Sequence, residues 1–301
     1  MVNVLEPLTD SGKTAQLVQS SQPTQPSPHL SIRVARARTD ARSFIAHQYA
    51  TFPFRLSGNL RLDANNSHRA YAYVMSASPG ILAGDDLRWV VEVGDRACLY
   101  LTDQSATKVH SQPKEGATAR MTYDFTVGAG AYLEYIPEPI ILFRAANLTQ
   151  ETHIMLHPAG TLVLGEIIVP GRLARGEFYD FEQFVSRLQV RSPDGQLCFA
   201  DTLRLLGASN RFRQSPIFSD WAILGNFVAV VPGVDLAKLA HRLEDNNQHE
   251  LQVCSSPLPG CHGLLVRAMS TQVSILKAYQ RYLIGCVRQL TGHSPLPPIP
   301  K

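Results

Sequence analysis

The stretch Arg120-Met121-Thr122-Tyr123-Asp124-Phe125-Thr126-Val127-Gly128-Ala129-Gly130-Ala131-Tyr132-Leu133-Glu134-Tyr135-Ile136 decides the fold class. In an extended chain Met121, Tyr123, Phe125 and Val127 fall on one side and Arg120, Thr122, Asp124 and Thr126 on the other. That is the period-two pattern of a strand with one buried face. Gly128-Ala129-Gly130 then reads as a tight turn into a second apolar run, 131–136. Outward from this point the grammar repeats. Gly94-Asp95 lies between 87–93 and 96–102, Pro158-Ala159-Gly160 between two apolar runs, and Pro193-Asp194-Gly195 between 187–191 and 196–205. Each unit reads as a strand hairpin. Short strands with turn signals and no intervening helices predict a mainly β body of stacked antiparallel sheets, not a parallel α/β sheet.

Helical spacing enters late. Residues 234–246 place Val234, Leu236, Leu239, Ala240 and Leu243 on one face, and 269–290 place Val273, Leu276, Tyr279, Leu283, Val287 and Leu290 on another. Ser270 or Thr271 is positioned to cap the second helix and Gly292 to end it. Two helices in the C-terminal half are therefore expected. Residues 11–28 are rich in Ser, Gln, Thr and Pro without apolar periodicity, so 1–30 reads as a disordered tail. Residues 294–301 hold four prolines and read as an extended tail, leaving 31–293 as one β-rich domain.

A chain of 301 residues buries about three quarters of its unfolded surface, enough for a core without disulfides or a structural metal. Only 18% of its residues are charged, and 28 Lys+Arg against 25 Asp+Glu leave a formal +3. No concentrated basic face is required, so neither nucleic acid nor membrane is an expected partner. The five cysteines, Cys98, Cys198, Cys254, Cys261 and Cys286, show no paired framework or CxxC spacing, which suits a reducing compartment. The first 17 residues lack an apolar core of signal-peptide length and no run of some eighteen apolar residues occurs, so a cytoplasmic protein is expected.

Common chemistries are missing. Ser11-Gly12-Lys13-Thr14 ends like a phosphate-binding loop, but Pro7 stands where the first glycine is needed. Gly128-Ala129-Gly130 opens a dinucleotide fingerprint whose third glycine position holds Leu133. No Gly-x-Ser-x-Gly elbow is present. His153 and His157 fall on a strand, where they would stand roughly 13 Å apart. Cys254, Cys261 and His262 lack a local fourth ligand for a closed tetrahedral site.

Across 78–110 a more specific pattern stands out: Ser78-Pro79-Gly80-Ile81-Leu82-Ala83-Gly84-Asp85, then Leu101-Thr102-Asp103-Gln104-Ser105-Ala106-Thr107-Lys108-Val109-His110. Further on come the block from Val127 through Leu133-Glu134-Tyr135-Ile136-Pro137-Glu138-Pro139, and Gly165-Glu166 through Gly171-Arg172 to Arg175-Gly176-Glu177-Phe178. In order and spacing, from about Phe54 to Gly292, these blocks resemble the urease accessory protein D family, also called H. The chain departs from the family pattern at Ala83, at Val109-His110-Ser111 and at Tyr135, where a Trp is usual.

The resemblance implies a non-enzymatic, chaperone-like scaffold in urease maturation, with a mainly β, solenoid-like body. It implies urease apoprotein as a partner on one side. On the other it implies a helical accessory protein (F) through which a GTPase (G) is recruited. It implies no permanently bound cofactor, with Ni²⁺ as transient cargo on an internal route to the enzyme's site. The residues expected to carry a metal path or scaffold function are Asp85, Thr107, Lys108, His110, Glu134, Glu138 and Glu177.

The residue types fit that expectation on their own terms. Acidic side chains inside apolar or glycine-rich segments must be paired, solvated or functional, because a lone buried charge costs several kcal/mol. Lys108 is the internal counter-charge expected from the sequence. A carboxylate path holds Ni²⁺ more loosely than thiolate or imidazole cages, so an ion is passed on rather than trapped. The competing reading of the same carboxylates is a structural polar cluster. Two further functions compete: a β-solenoid polysaccharide hydrolase or lyase using paired carboxylates, and a plain β interaction module.

Overall fold

The computed structural model describes residues 27–63, 68–112, 117–207, 209 and 221–299. The Ser11-Gly12-Lys13-Thr14 segment and most of the expected N-terminal tail lie outside these residues. The described chain is mainly β, in two mixed sheets with two α-helices.

The seven-stranded sheet runs β14 (Leu197–Leu206), β13 (Gln183–Arg191), β11 (Asn147–Leu156), β8 (Ala119–Val127), β5 (Asp86–Val93), β1 (Leu30–Arg36), β2 (Ser43–Ala50). The ten-stranded sheet runs β16 (Leu251–Pro257), β17 (Gly263–Ser270), β15 (Ile223–Val230), β12 (Thr161–Val169), β9 (Tyr132–Tyr135), β6 (Cys98–Asp103), β4 (Arg69–Ser76), β3 (Phe54–Leu56). The short β7 (Thr107–Val109) and β10 (Ile140–Leu142) pair with each other, and β10 pairs with β12.

The strand stripe read from sequence holds: Met121, Tyr123, Phe125 and Val127 of β8 are buried and Arg120 and Thr126 are exposed. The hairpins largely do not. Only Pro193-Asp194-Gly195 joins antiparallel neighbours, β13 and β14. The turns at Gly94-Asp95, Gly128-Ala129-Gly130 and Pro158-Ala159-Gly160 each carry the chain from the smaller sheet to the larger. Successive visits to one sheet then pair in parallel: β5 with β8, β8 with β11 and β11 with β13 on one side, β4 with β6, β6 with β9 and β9 with β12 on the other. The expectation of antiparallel sheets is corrected accordingly. The physical reason is that a short turn can either reverse a strand beside itself or arch across a core about 10 Å thick, and periodicity within a strand is the same in both cases.

At the first arch, the carboxylate of Asp95 accepts the Ala129 N–H at 2.9 Å. Gly128 faces the same side chain so closely that a Cβ there would displace it. Two apolar cores result. One lies between the sheets and includes Val91, Phe125, Leu133, Leu148 and Leu162. The second lies between the outer face of the larger sheet and the helices α1 (Leu236–Glu244) and α2 (Val273–Leu290), and includes Tyr132, Val163, Ile167, Phe227, Leu276 and Leu283. Strand β9 is buried on both faces because it belongs to both cores. Each fully buried Leu or Phe contributes about 1.5–3 kcal/mol.

Helix α1 starts where Asp235 accepts the Lys238 N–H at 3.1 Å. Helix α2 begins later than its apolar spacing suggests, because Met269 and Ser270 belong to β17 and Gln272 is the N-cap residue. Ser270 Oγ instead donates to Glu250 O at 2.7 Å. Gly292, with φ of 72°, follows the helix end as expected. The described part of the proline-rich segment has no helix, and Leu296 and Ile299 pack on the second core.

Candidate functional site

Polar residues interrupt the inward stripes at one level of the sandwich. In β12 the inward residues are Leu162, Leu164, Glu166 and Ile168, so a carboxylate takes a place that the pattern reserves for an apolar side chain. Gln150 and Thr152 do the same in β11, before Ile154 and Leu156. Two flat sheets of Leu and Val would close here. Instead the polar groups line a partly open cavity of about 70 Å³, enough for a few ordered waters.

Glu166 sets the character of that cavity. Its Oε1 accepts from Gln150 Nε2 at 2.5 Å and from Ser186 Oγ at 3.3 Å. Burial pushes its carboxyl up to about 7, and the nearby Asp201 adds to the rise. Asp201 accepts from Arg267 at 2.7 Å and from Asn226 Nδ2 at 3.5 Å, so a polar chain extends from the cavity to the sheet margin. Tyr123 and Tyr135 line the other wall. Burial keeps both phenols protonated, each reinforced by the negative potential of Asp103.

This cavity adjoins two others. An outer cavity of about 270 Å³ shares Ile81, Asp103, Thr107 and Tyr123 with it, and its wall includes Ser78, Ser105 and Lys108. On the helix side, a cavity of about 180 Å³ shares Glu138 with it and is also lined by Lys277, Gln280 and Arg281. Three spaces thus follow one another, with Asp103, Glu166 and Glu138 as their carboxylates.

Of the residues selected from sequence, Thr107, Lys108 and Glu138 line this series. Glu138 is held by Lys277 Nζ at 2.8 Å. The others lie elsewhere. Asp85 closes a turn by accepting the Leu82 N–H at 2.8 Å. His110 packs its ring on Phe143 with centroids 5.0 Å apart, and its Nε2 lies 3.3 Å from Pro79 O.

Glu134 points into the second core, clamped by Arg288 through both oxygens and reached by Arg69 Nη1 at 3.2 Å. Burial alone would raise its carboxyl, but Arg69 and Arg288 hold it below the usual range. Glu177 follows a single 3-10 turn, Leu173–Arg175, and is clamped by Arg172, whose guanidinium also stacks 4.3 Å from the centre of Phe143. The hydrogen bond from Arg172 holds the Glu177 carboxyl low.

Lys108 is exposed, so it is not the internal counter-charge expected from the sequence. Arginines 69, 172 and 288 and Lys277 fill that role, supplied by elements far from their carboxylates in sequence. Asp103 and Glu166 are the carboxylates that sequence reasoning passed over. For Glu166 a signal existed, an acid within Leu162-Val163-Leu164-Gly165-Glu166-Ile167-Ile168-Val169. Among the described residues no three His, Cys, Asp or Glu side chains form a metal-ligating cluster, which covers His153 with His157 and Cys254 with Cys261 and His262. What the cavities offer a cation is hydrated oxygen ligation by single carboxylates, hydroxyls and amides.

Residues 28–301 match the family model described as UreD urease accessory protein. Urease accessory protein UreD of Trichodesmium erythraeum is 42% identical over 266 residues, which cover 87% of this chain and 95% of that protein. That of Haloarcula marismortui is 32% identical over 242 residues, 80% of each chain. That of Anaeromyxobacter sp. is 31% identical over 295 residues, covering 93% of this chain and 95% of the relative. Among the described residues no helix is long and apolar enough to cross a membrane.

Proposed function

From the premise that the chain belongs to the UreD urease accessory protein family and serves urease maturation, we propose that it acts as a non-catalytic scaffold passing Ni²⁺ between its two sheets. The ion is cargo. It enters as a hydrated cation, exchanges some of its waters for oxygens of Asp103, Glu166 and Glu138, and leaves toward urease apoprotein. The observation that carries this reading is the sharing of Asp103 and Thr107 by the outer and central cavities and of Glu138 by the central and helix-side cavities. Sites with one carboxylate and several neutral oxygens bind a divalent ion weakly enough to release it.

The winding of the chain between sheets from β4 to β13 supports the solenoid-like body implied by the resemblance. Docking of the helical accessory protein F with its GTPase G is assigned to the outer-cavity side. There Phe52 and Leu82, 68% and 41% exposed, adjoin the lining residues Pro53 and Ile81. Apolar exposure on this scale beside a cavity mouth suits a protein partner.

The test is co-expression of urease and its accessory proteins with and without this chain, followed by nickel analysis of the purified enzyme. The expected result is nickel-poor, inactive urease when the chain is omitted. Fully loaded urease in its absence overturns the proposal.

A further inference from the structure

The edge of the smaller sheet meets the larger sheet at a pair of thiols. Cys198 lies in the irregular register of β14, where Arg191 pairs with Leu197 and Val190 with Phe199, leaving Cys198 as the extra residue of a bulge. The turn joining β16 to β17, closed by the Leu258 N–H donating to Gly263 O at 2.9 Å, packs directly against it. A Cβ on Gly260 would stand 3.0 Å from Cys198 Cα and nearer still to its carbonyl. The Cα atoms of residues 198 and 260 are therefore within about 5 Å, and that of the adjoining Cys261 within about 8 Å of Cys198.

Both cysteines are free and half-buried, and both pack against the inter-sheet core. The seam is anchored on the same strands, because Arg267 of β17 reaches Asp201 of β14 at 2.7 Å.

We propose that Cys198 and Cys261 are a redox-active pair that closes into a reversible disulfide, stapling the edge strand β14 to the β16–β17 turn. The oxidant is a low-molecular-weight disulfide such as oxidised glutathione. The Cys198 thiolate attacks one of its sulfurs, forming a mixed disulfide and releasing one glutathione thiolate. Cys261 then attacks Cys198 Sγ and releases the second. Two S–H bonds are lost and one S–S bond forms, while one glutathione disulfide becomes two thiols that carry the protons. Burial, with the Cys198 thiol close by, holds the Cys261 thiol up at about 12, so the closing step is slow at neutral pH and speeds up as pH rises and more thiolate forms. Cys98 and Cys286 are buried and Cys254 is exposed, so each differs in setting from this pair.

The wild-type chain, kept with whatever partners maintain it in solution, is treated with oxidised glutathione, alkylated with N-ethylmaleimide, digested and analysed by mass spectrometry. The expected product joins the Cys198 and Cys261 peptides at a mass about 2 Da below their sum, and dithiothreitol removes it. Cys254→Ser retains the link, and Cys198→Ser or Cys261→Ser abolishes it. Recovery of Cys198 and Cys261 as separate alkylated or glutathionylated peptides, or linkage of either to Cys254, overturns the proposal. The wild-type measurement decides the matter even where a variant fails to fold.

Discussion

Arg288 on α2 grips both carboxylate oxygens of Glu134 on β9, with Nε 2.8 Å from Oε1 and Nη2 2.6 Å from Oε2, and the two side chains are at most 1% exposed. Its Nη1 also donates to the Tyr71 hydroxyl at 3.2 Å, and Tyr71 in turn donates to Asp63. The same Nη1 reaches the carbonyls of Ser294 and Pro295, tying the segment after the helix to the larger sheet. Glu134 is thus the pin of the helical layer rather than a member of the cavity series.

Glu134→Gln removes the carboxylate that both Arg69 and Arg288 face, leaving Arg288 with its longer contact of 3.9 Å to Asp63. The expected loss of stability is about 3–5 kcal/mol, read from the midpoint of chemical denaturation. Adding Arg288→Met to Glu134→Leu recovers part of that loss, since an apolar pair of similar volume does not carry the desolvation cost.

Gly80 faces the backbone of Lys108 so closely that a Cβ would overlap its carbonyl oxygen. Gly80→Ala therefore has to push β7 away from the loop and break the Ile81 N–H to Lys108 O hydrogen bond of 2.8 Å. A destabilisation of about 2 kcal/mol or more is expected in thermal unfolding. Gly58→Ala has open space at its Cβ and tests the left-handed conformation alone, φ being 83°.

The raised carboxyl of Glu166 makes stability fall as pH rises. Its ordinary value is 4.5 and its folded value about 7, so between these the folded state holds the extra proton. The contribution is complete below pH 4.5 and is lost as pH passes through 7, to a total of at most about 3 kcal/mol. Glu166→Gln should flatten this slope in denaturation curves recorded from pH 5 to 8. An unchanged slope would assign it to another group.

Nickel loading separates cavity residues from structural ones. Glu166→Gln and Glu138→Gln are expected to lower nickel per co-expressed urease by about tenfold while the assembled complex is recovered in normal amount. Glu177→Gln, by contrast, removes the Arg172 clamp and should reduce the yield of folded chain without changing nickel per assembled complex. Equal nickel loading in all three variants contradicts the proposed route.

Local chemistry explains how much of this was legible in the chain itself. The stripe Met121, Tyr123, Phe125, Val127 names its own buried face, because neighbouring side chains alternate on any strand. Helix α2 was legible for the same reason, yet its start was not, since Met269 and Ser270 continue β17 before the helix can begin. An acid in the β12 stripe was visible, but its companions Gln150, Ser186 and Asp201 come from three other strands.

The sequence by itself determined the mainly β class, the two late helices, the buried stripes and, through four ordered blocks, the family. Those features depend on residues within a few positions of each other. Tertiary structure alone decided that Gly128-Ala129-Gly130 arches between sheets, that Arg288 neutralises Glu134 across 154 positions and that Lys108 faces outward. It also decided which carboxylates face open space. Pairing partners and counter-charges are chosen by which surfaces meet once two sheets and a helical layer stack, and desolvation makes each choice costly to get wrong.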